Sequence, residues 1–253
     1  MTFKVSGGVY GGQGGPGHVP LSKGGARTGG AGRIWPALAL GLALIMGGIL
    51  GGGLVGTRAQ AAEPVEIVAF GDSLTAGYGL ASGAGFADQL QARLDEEGIA
   101  AKVINAGVSG DTATGGQQRL EWSVPETADA VIVELGANDA LRGVDPKVTR
   151  AALTKIVTRL QERGQKVLLA GMYAPPNLGD EYGEAFNAIY PDLAKETGVL
   201  FYPFFLDGVA LDDSLKQPDG LHPTKAGVTV IVDNILPKVK ELIEEVREEQ
   251  APE

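Results

Sequence analysis

From Pro64 onward the chain alternates short, β-branched apolar runs with segments of helical spacing, and this alternation constrains the fold more than any other feature. Continuous apolar runs read as strands buried on both faces, and strands separated by helices pair in parallel. Five strands are predicted, over Val65–Phe70, Ala101–Asn105, Ala130–Leu135, Lys166–Met172 and Val199–Tyr202. Helices are predicted over Gly85–Glu97, Thr114–Trp122, Pro146–Gly164 and Asp180–Thr197, with a last one from about Pro223 to Glu249. The third opens with Asp145 and Pro146, a capping residue followed by one suited to the first helical turn. Together these make a three-layer α/β/α sandwich around a five-stranded parallel sheet, in which sites gather at the carboxyl ends of the strands.

The first 61 residues do not belong to that pattern. Residues 1–33 are too glycine-rich to bury much apolar surface and read as a disordered leader or as the product of a misassigned start codon. Gly12 to Gly17 formally fits the dinucleotide-binding glycine pattern, but no strand precedes it and Pro16 stands where a helix should open. Basic residues without acids precede an apolar run from Ile34 to Val55, and Ala59-Gln60-Ala61 supplies a small-x-small cleavage pattern. Residues 34–61 are therefore expected to be a signal peptide cut after Ala61, or, uncleaved, an inner-membrane anchor formed by residues 34–55. Either way residues 62–253 form one exported domain, periplasmic or secreted.

That domain carries 16 basic against 31 acidic residues, a net −15, which disfavours nucleic acid and anionic membrane surfaces as partners. The chain has no cysteine, so disulfides, thiolate catalysis and most zinc patterns are excluded. Asp207, Asp212, Asp213 and Asp219 are scattered acids with a single histidine near them, a poor metal set.

The chemistry points to the strand ends. Ser73 in Gly71-Asp72-Ser73-Leu74 stands where the first strand gives way to a helix, a good place for a nucleophile and equally a place for a helix cap. His18 lies in the leader, so His222 is the one imidazole available to the domain. Asp219 precedes it by three residues, a spacing that lets a turn bring the carboxylate to the ring and fix its tautomer. A capping turn with an incidental histidine has the same spacing. Pro223 biases His222 away from helical geometry, as a loop position requires. Gly110 and Asn138 follow the second and third strands and can donate hydrogen bonds to an oxyanion, although Gly, Asn and Asp also favour turns. What turns leave unexplained is that Ser, Gly and Asn each fall at the end of one of the first three strands.

Gly71-Asp72-Ser73-Leu74, Gly110, Gly136-Ala137-Asn138-Asp139 and Asp219-x-x-His222 resemble, in order, the four blocks of the SGNH, or GDSL, hydrolase superfamily. Stretches such as Val133 to Gly143 and Phe186 to Pro191 are similar to its bacterial periplasmic branch, called thioesterase I, lysophospholipase or arylesterase. The likeness runs from about Val65 to about Pro237. It implies a flavodoxin-like strand order and Ser73 as nucleophile, with His222 as general base and then acid, oriented by Asp219. It also implies an oxyanion hole of the Ser73 and Gly110 N–H groups with the Asn138 side chain. No metal or organic cofactor is implied, and a monomer is expected. Gly71-Asp72-Ser73-Leu74-Thr75 departs from the G-x-S-x-G elbow, which argues against an α/β-hydrolase fold. The implied substrates carry short to medium acyl chains on aryl, thioester or lysophospholipid leaving groups. Leu74, Leu141, Met172 and Tyr173 lie at or near strand ends, where they can line an acyl groove or belong to the core. The competing reading is an exported lipid- or glycan-binding domain on the same sheet that has lost turnover; such a protein has little need to keep serine, histidine and both donors together.

Overall fold

The computed structural model describes residues 63–251. The expected glycine-rich leader of residues 1–33 and the export segment of residues 34–61 lie outside the described residues.

Five parallel strands form one sheet: β1 (Val65–Gly71), β2 (Ala101–Asn105), β3 (Ala130–Glu134), β4 (Lys166–Ala170) and β5 (Leu200–Tyr202). Their order is β2-β1-β3-β4-β5, the flavodoxin-like order. The central strands are buried almost throughout, which is why their sequences are continuous apolar runs rather than alternating ones. The register pairs Gly71 with Glu134 and Val65 with Ala101, so β1 runs past the end of β2 and delivers the following residues beside the end of β3.

The helices between them are α1 (Ser73–Ala76), α2 (Phe86–Glu96), α3 (Ala113–Ser123), α4 (Ala137–Leu141), α5 (Pro146–Glu162), α6 (Asp180–Asn187), α7 (Ile189–Thr197) and α8 (Lys225–Gln250). Helix α2 packs on α8, while α3, α5 and α7 pack together, so the sheet is covered by two helical layers. Among the described residues, no helix is long and apolar enough to cross a membrane.

Two boundaries differ from the sequence expectation for definite reasons. The single helix expected over Asp180–Thr197 is two, meeting at Ala188. Pro191 has no N–H to offer the Asn187 carbonyl, and its ring crowds that carbonyl, so the first helix stops there. The last helix starts at Lys225 rather than Pro223, because the Thr224 hydroxyl caps the Gly227 N–H. That helix nevertheless runs through Pro237. A mid-helix proline costs about 3 kcal/mol, and burying one Leu or Ile side chain returns about 1.5–3 kcal/mol. Ile231, Val232, Ile235, Leu236, Val239 and Leu242 are all buried around the break, more than enough to offset it.

Candidate active site

The strand order reverses at β1, with β2 on one side and β3 on the other, and the crevice at such a switch point is where open α/β sheets place their sites. Ser73, Gly110 and Asn138 all follow strands that end there.

Ser73 opens the one-turn helix α1. The helix is capped by Asp72, whose Oδ1 accepts the Leu74 N–H at 2.9 Å, so Ser73 is not the cap and its hydroxyl is free for another partner. The preceding Gly71 cannot be anything larger: a Cβ there would run into the Thr75 hydroxyl and the Glu134 carboxylate.

His222 reaches Ser73 from the far end of the chain. Its Nε2 lies 2.9 Å from Ser73 Oγ and its Nδ1 2.7 Å from Asp219 Oδ2. The Asp219 turn is wound around the carboxylate: Oδ1 accepts the N–H groups of Leu221 and His222 at 2.9 and 3.0 Å, the chain turning at Gly220, φ 71°, directly after Asp219. These N–H groups and the ring hold the Asp219 carboxyl at about 2, well below its ordinary value. Tyr78 packs against the imidazole, ring centres 4.6 Å apart.

The turn is tied to the segment that follows Ser73 by a residue that sequence reasoning missed. Gln217 donates through Nε2 to the carbonyls of Tyr78 and Pro223, at 2.8 and 2.9 Å, and its own N–H bonds the His222 carbonyl at 2.7 Å. Nothing in the sequence marks it, since a glutamine bonding backbone carbonyls leaves no spacing pattern.

Gly110 sits at φ 85° in the turn closed by the Asp111 N–H on the Val108 carbonyl. Asn138 lies in α4, entered through Gly136 at φ 117°, where a Cβ would also strike the Tyr190 hydroxyl. Asn138 Nδ2 donates to Asp72 Oδ2 at 3.0 Å, and Arg142 donates to both the Gly110 carbonyl at 2.9 Å and Asn138 Oδ1 at 3.4 Å. Hydrogen bonds thus join the ends of all three strands. Behind them the buried Arg119 holds the Gly71 and Ala106 carbonyls, each at 2.8 Å, and Asp111 at 2.5 Å, with its guanidinium over the Phe70 ring.

The four residues considered for an acyl groove divide evenly. Leu74 and Met172 are buried in the core, whereas Leu141 and Tyr173 are about half exposed, Tyr173 stacked on Phe204 at 4.6 Å. The acids weighed as a metal set do not converge: among the described residues no group of three or more His, Asp or Glu could hold an ion. A cleft of about 550 Å³ lined by Lys166, Val167, Val199 and Glu245 opens at the opposite, amino end of the sheet, away from these residues.

The GDSL-like lipase/acylhydrolase family matches residues 69–230. The chain is 39% identical to the esterase TesA of Pseudomonas aeruginosa over 202 residues, 79% of this chain and 99% of that protein. It is 37% identical to the thioesterase 1/protease 1/lysophospholipase L1 of Escherichia coli over 187 residues, 74% of this chain and 88% of the other. Among solved structures, the SGNH-hydrolase family esterase AlinE4 superposes with a TM-score of 0.61 at 45% identity, covering 72% of this chain and 98% of that one.

Proposed function

This chain belongs to the GDSL-like lipase/acylhydrolase family and is an ester hydrolase, and we propose that it works through an acyl-enzyme on Ser73. The observation that carries this reading is the unbroken relay from Asp219 Oδ2 through both nitrogens of His222 to Ser73 Oγ. Asp219 fixes the tautomer with hydrogen on Nδ1, which leaves Nε2 to take the serine proton as Oγ attacks the acyl carbonyl. The imidazolium then hands that proton to the departing alcohol or thiol. Water enters, deprotonated by His222, and releases the acid. The negative oxygen formed in both steps is held by the N–H groups of Ser73 and Gly110 and by Asn138 Nδ2.

The substrates proposed are short to medium acyl groups on aryl, thioester or lysophospholipid leaving groups, with Leu141 and Tyr173 as the accessible apolar walls. Curated relatives named esterase and thioesterase/lysophospholipase support that range. The small-x-small pattern at Ala59 to Ala61 supports export.

Replacing Ser73 with Ala tests the mechanism. Hydrolysis of a p-nitrophenyl acyl ester is expected to drop by at least ~10⁴-fold with the fold intact by circular dichroism. Full hydrolysis by S73A would end this reading. Chain-length profiles with matched p-nitrophenyl, acyl-CoA and lysophospholipid substrates rank the three leaving groups.

A further inference from the structure

The mechanism above gives no task to Asp72, yet this carboxyl is wholly buried immediately before the nucleophile. A buried carboxylate is costly to keep, so its partners reveal what it does. Oδ1 accepts the Leu74 N–H and Oδ2 accepts Asn138 Nδ2, at 2.9 and 3.0 Å.

Beneath it lies a second buried carboxyl, Glu134. Its Oε2 accepts both the Asp72 N–H at 3.2 Å and the Thr75 hydroxyl at 2.8 Å, while Oε1 has no partner. Two neighbouring carboxyls sealed from water do not both ionise. Glu134, with one bare oxygen, is the member that keeps a proton, and Asp72, with a donor on each oxygen, carries the charge. Burial and the Asp72 charge push the Glu134 carboxyl well above the usual range, in keeping with this division.

Asn138 therefore stands between opposite charges. Its Nδ2 faces the Asp72 carboxylate, and its Oδ1 faces the Arg142 guanidinium. Turned over, the amide would set oxygen against carboxylate and N–H against guanidinium, opposing both neighbours. An amide nitrogen has two hydrogens, and the bond to Asp72 uses one.

Building on the reading of Asn138 as an oxyanion donor, we propose that Asp72 is a positioning residue whose buried carboxylate locks the Asn138 amide so that its second Nδ2 hydrogen is presented to the acyl oxygen. Asp72→Asn is the informative change. An amide at position 72 can offer oxygen to Leu74 N–H or to Asn138 Nδ2, but not to both. Satisfying the helix cap turns an NH₂ toward Asn138 and inverts it, placing an oxygen where the oxyanion forms.

The experiment is a cycle of N138A, D72N and the double variant, assayed with a p-nitrophenyl acyl ester. N138A is expected to lose ~10²–10³ in kcat. If N138A keeps its kcat, the assignment of Asn138 fails and this proposal with it. Given that loss, D72N is expected to fall within about tenfold of N138A with KM changed less than about threefold, and the double variant to be no slower than N138A. D72N with normal kcat, or losses that multiply in the double variant, overturns the role of Asp72 while leaving Asn138 a donor. Should D72N fail to fold, the side-chain amide of Asn138 in the ¹⁵N-labelled natural protein decides. One Nδ2 proton shifted downfield and protected from exchange supports the lock, and two equally exchanging protons refute it.

Discussion

Asp72 and Asp219 are both carboxylates set around the same serine, and their surroundings drive them in opposite directions. Asp219 is partly exposed and gathers three donors, which hold its carboxyl at about 2, well below its ordinary value. Asp72 is buried, and desolvation outweighs its two hydrogen bonds, raising it from 3.8 to about 6. The folded protein therefore holds a proton on Asp72 that the unfolded chain has already released between about pH 4 and pH 6. This group favours folding below that window, and the advantage is gone above it. Asp72→Asn removes the titration, so the stability of D72N relative to the natural protein should rise between pH 4 and pH 8, on the order of 3 kcal/mol for a shift of this size. Urea unfolding at the two pH values measures it; a relative stability that is flat or falls with pH contradicts a raised Asp72 carboxyl. A variant that gains stability at pH 8 while losing kcat would mark Asp72 as a residue kept for function at a cost to the fold.

At the level of elements, the site depends on three strand ends staying in register beyond the sheet. The β1–β3 ladder stops at Gly71 and Glu134, while past Asn105 two backbone bonds, Ala106 N–H to the Ala69 carbonyl at 2.8 Å and Val108 N–H to the Gly71 carbonyl at 3.0 Å, still tie that end to β1, and side chains add to them. Arg119, on α3, is the main one, spanning the Gly71 carbonyl, the Ala106 carbonyl and Asp111. Removing one partner of a buried ion pair leaves the other unsatisfied, so Arg119→Ala should destabilise by about 3 kcal/mol or more. Arg119→Lys should recover little, because a single ammonium cannot span the three acceptors held by the planar fork. Thermal unfolding of both variants checks this, and a lysine variant as stable as the natural protein would contradict it. The strands and the long helices were readable from apolar runs and caps and the strand order from the family resemblance, whereas Arg119 was not readable at all. An arginine in the middle of a helical pattern reads as a solvated face until the carbonyls that bury it are in place. The break at Ala188 was readable in principle from Pro191, but the apolar spacing that continues across it masked the signal.

For the molecule as a whole, charge matters more than shape. Residues 62–253 carry a net −15, and Glu244, Glu248 and Glu249 lie exposed along α8. A field of that sign repels anionic substrates over roughly a Debye length, about 10 Å at 0.1 M salt. The KM for an acyl-CoA is therefore expected to fall about threefold or more as salt rises from low to physiological strength, while that for an uncharged p-nitrophenyl ester stays nearly constant. Equal salt responses for the two substrates would show that a local basic feature near the site, such as Arg142, offsets the overall charge.

The resemblance to the SGNH hydrolases supplied the roles of Ser73, His222, Asp219, Gly110 and Asn138, while periodicity and spacing by themselves carried the sequence as far as a parallel α/β sandwich with candidate donors at its strand ends and a turn from Asp219 to His222. These last inferences rest on local rules, a buried strand being apolar throughout and a three-residue turn closing on its own carboxylate. The 2.9 Å meeting of His222 with Ser73 spans 149 residues, and only the tertiary structure brings it about. The same holds for the stacking of Asp72 on Glu134 and for the hold of Gln217 and Arg119 on distant carbonyls. Those contacts pair groups whose chemistry is ordinary in isolation and becomes specific only when the fold removes water from between them.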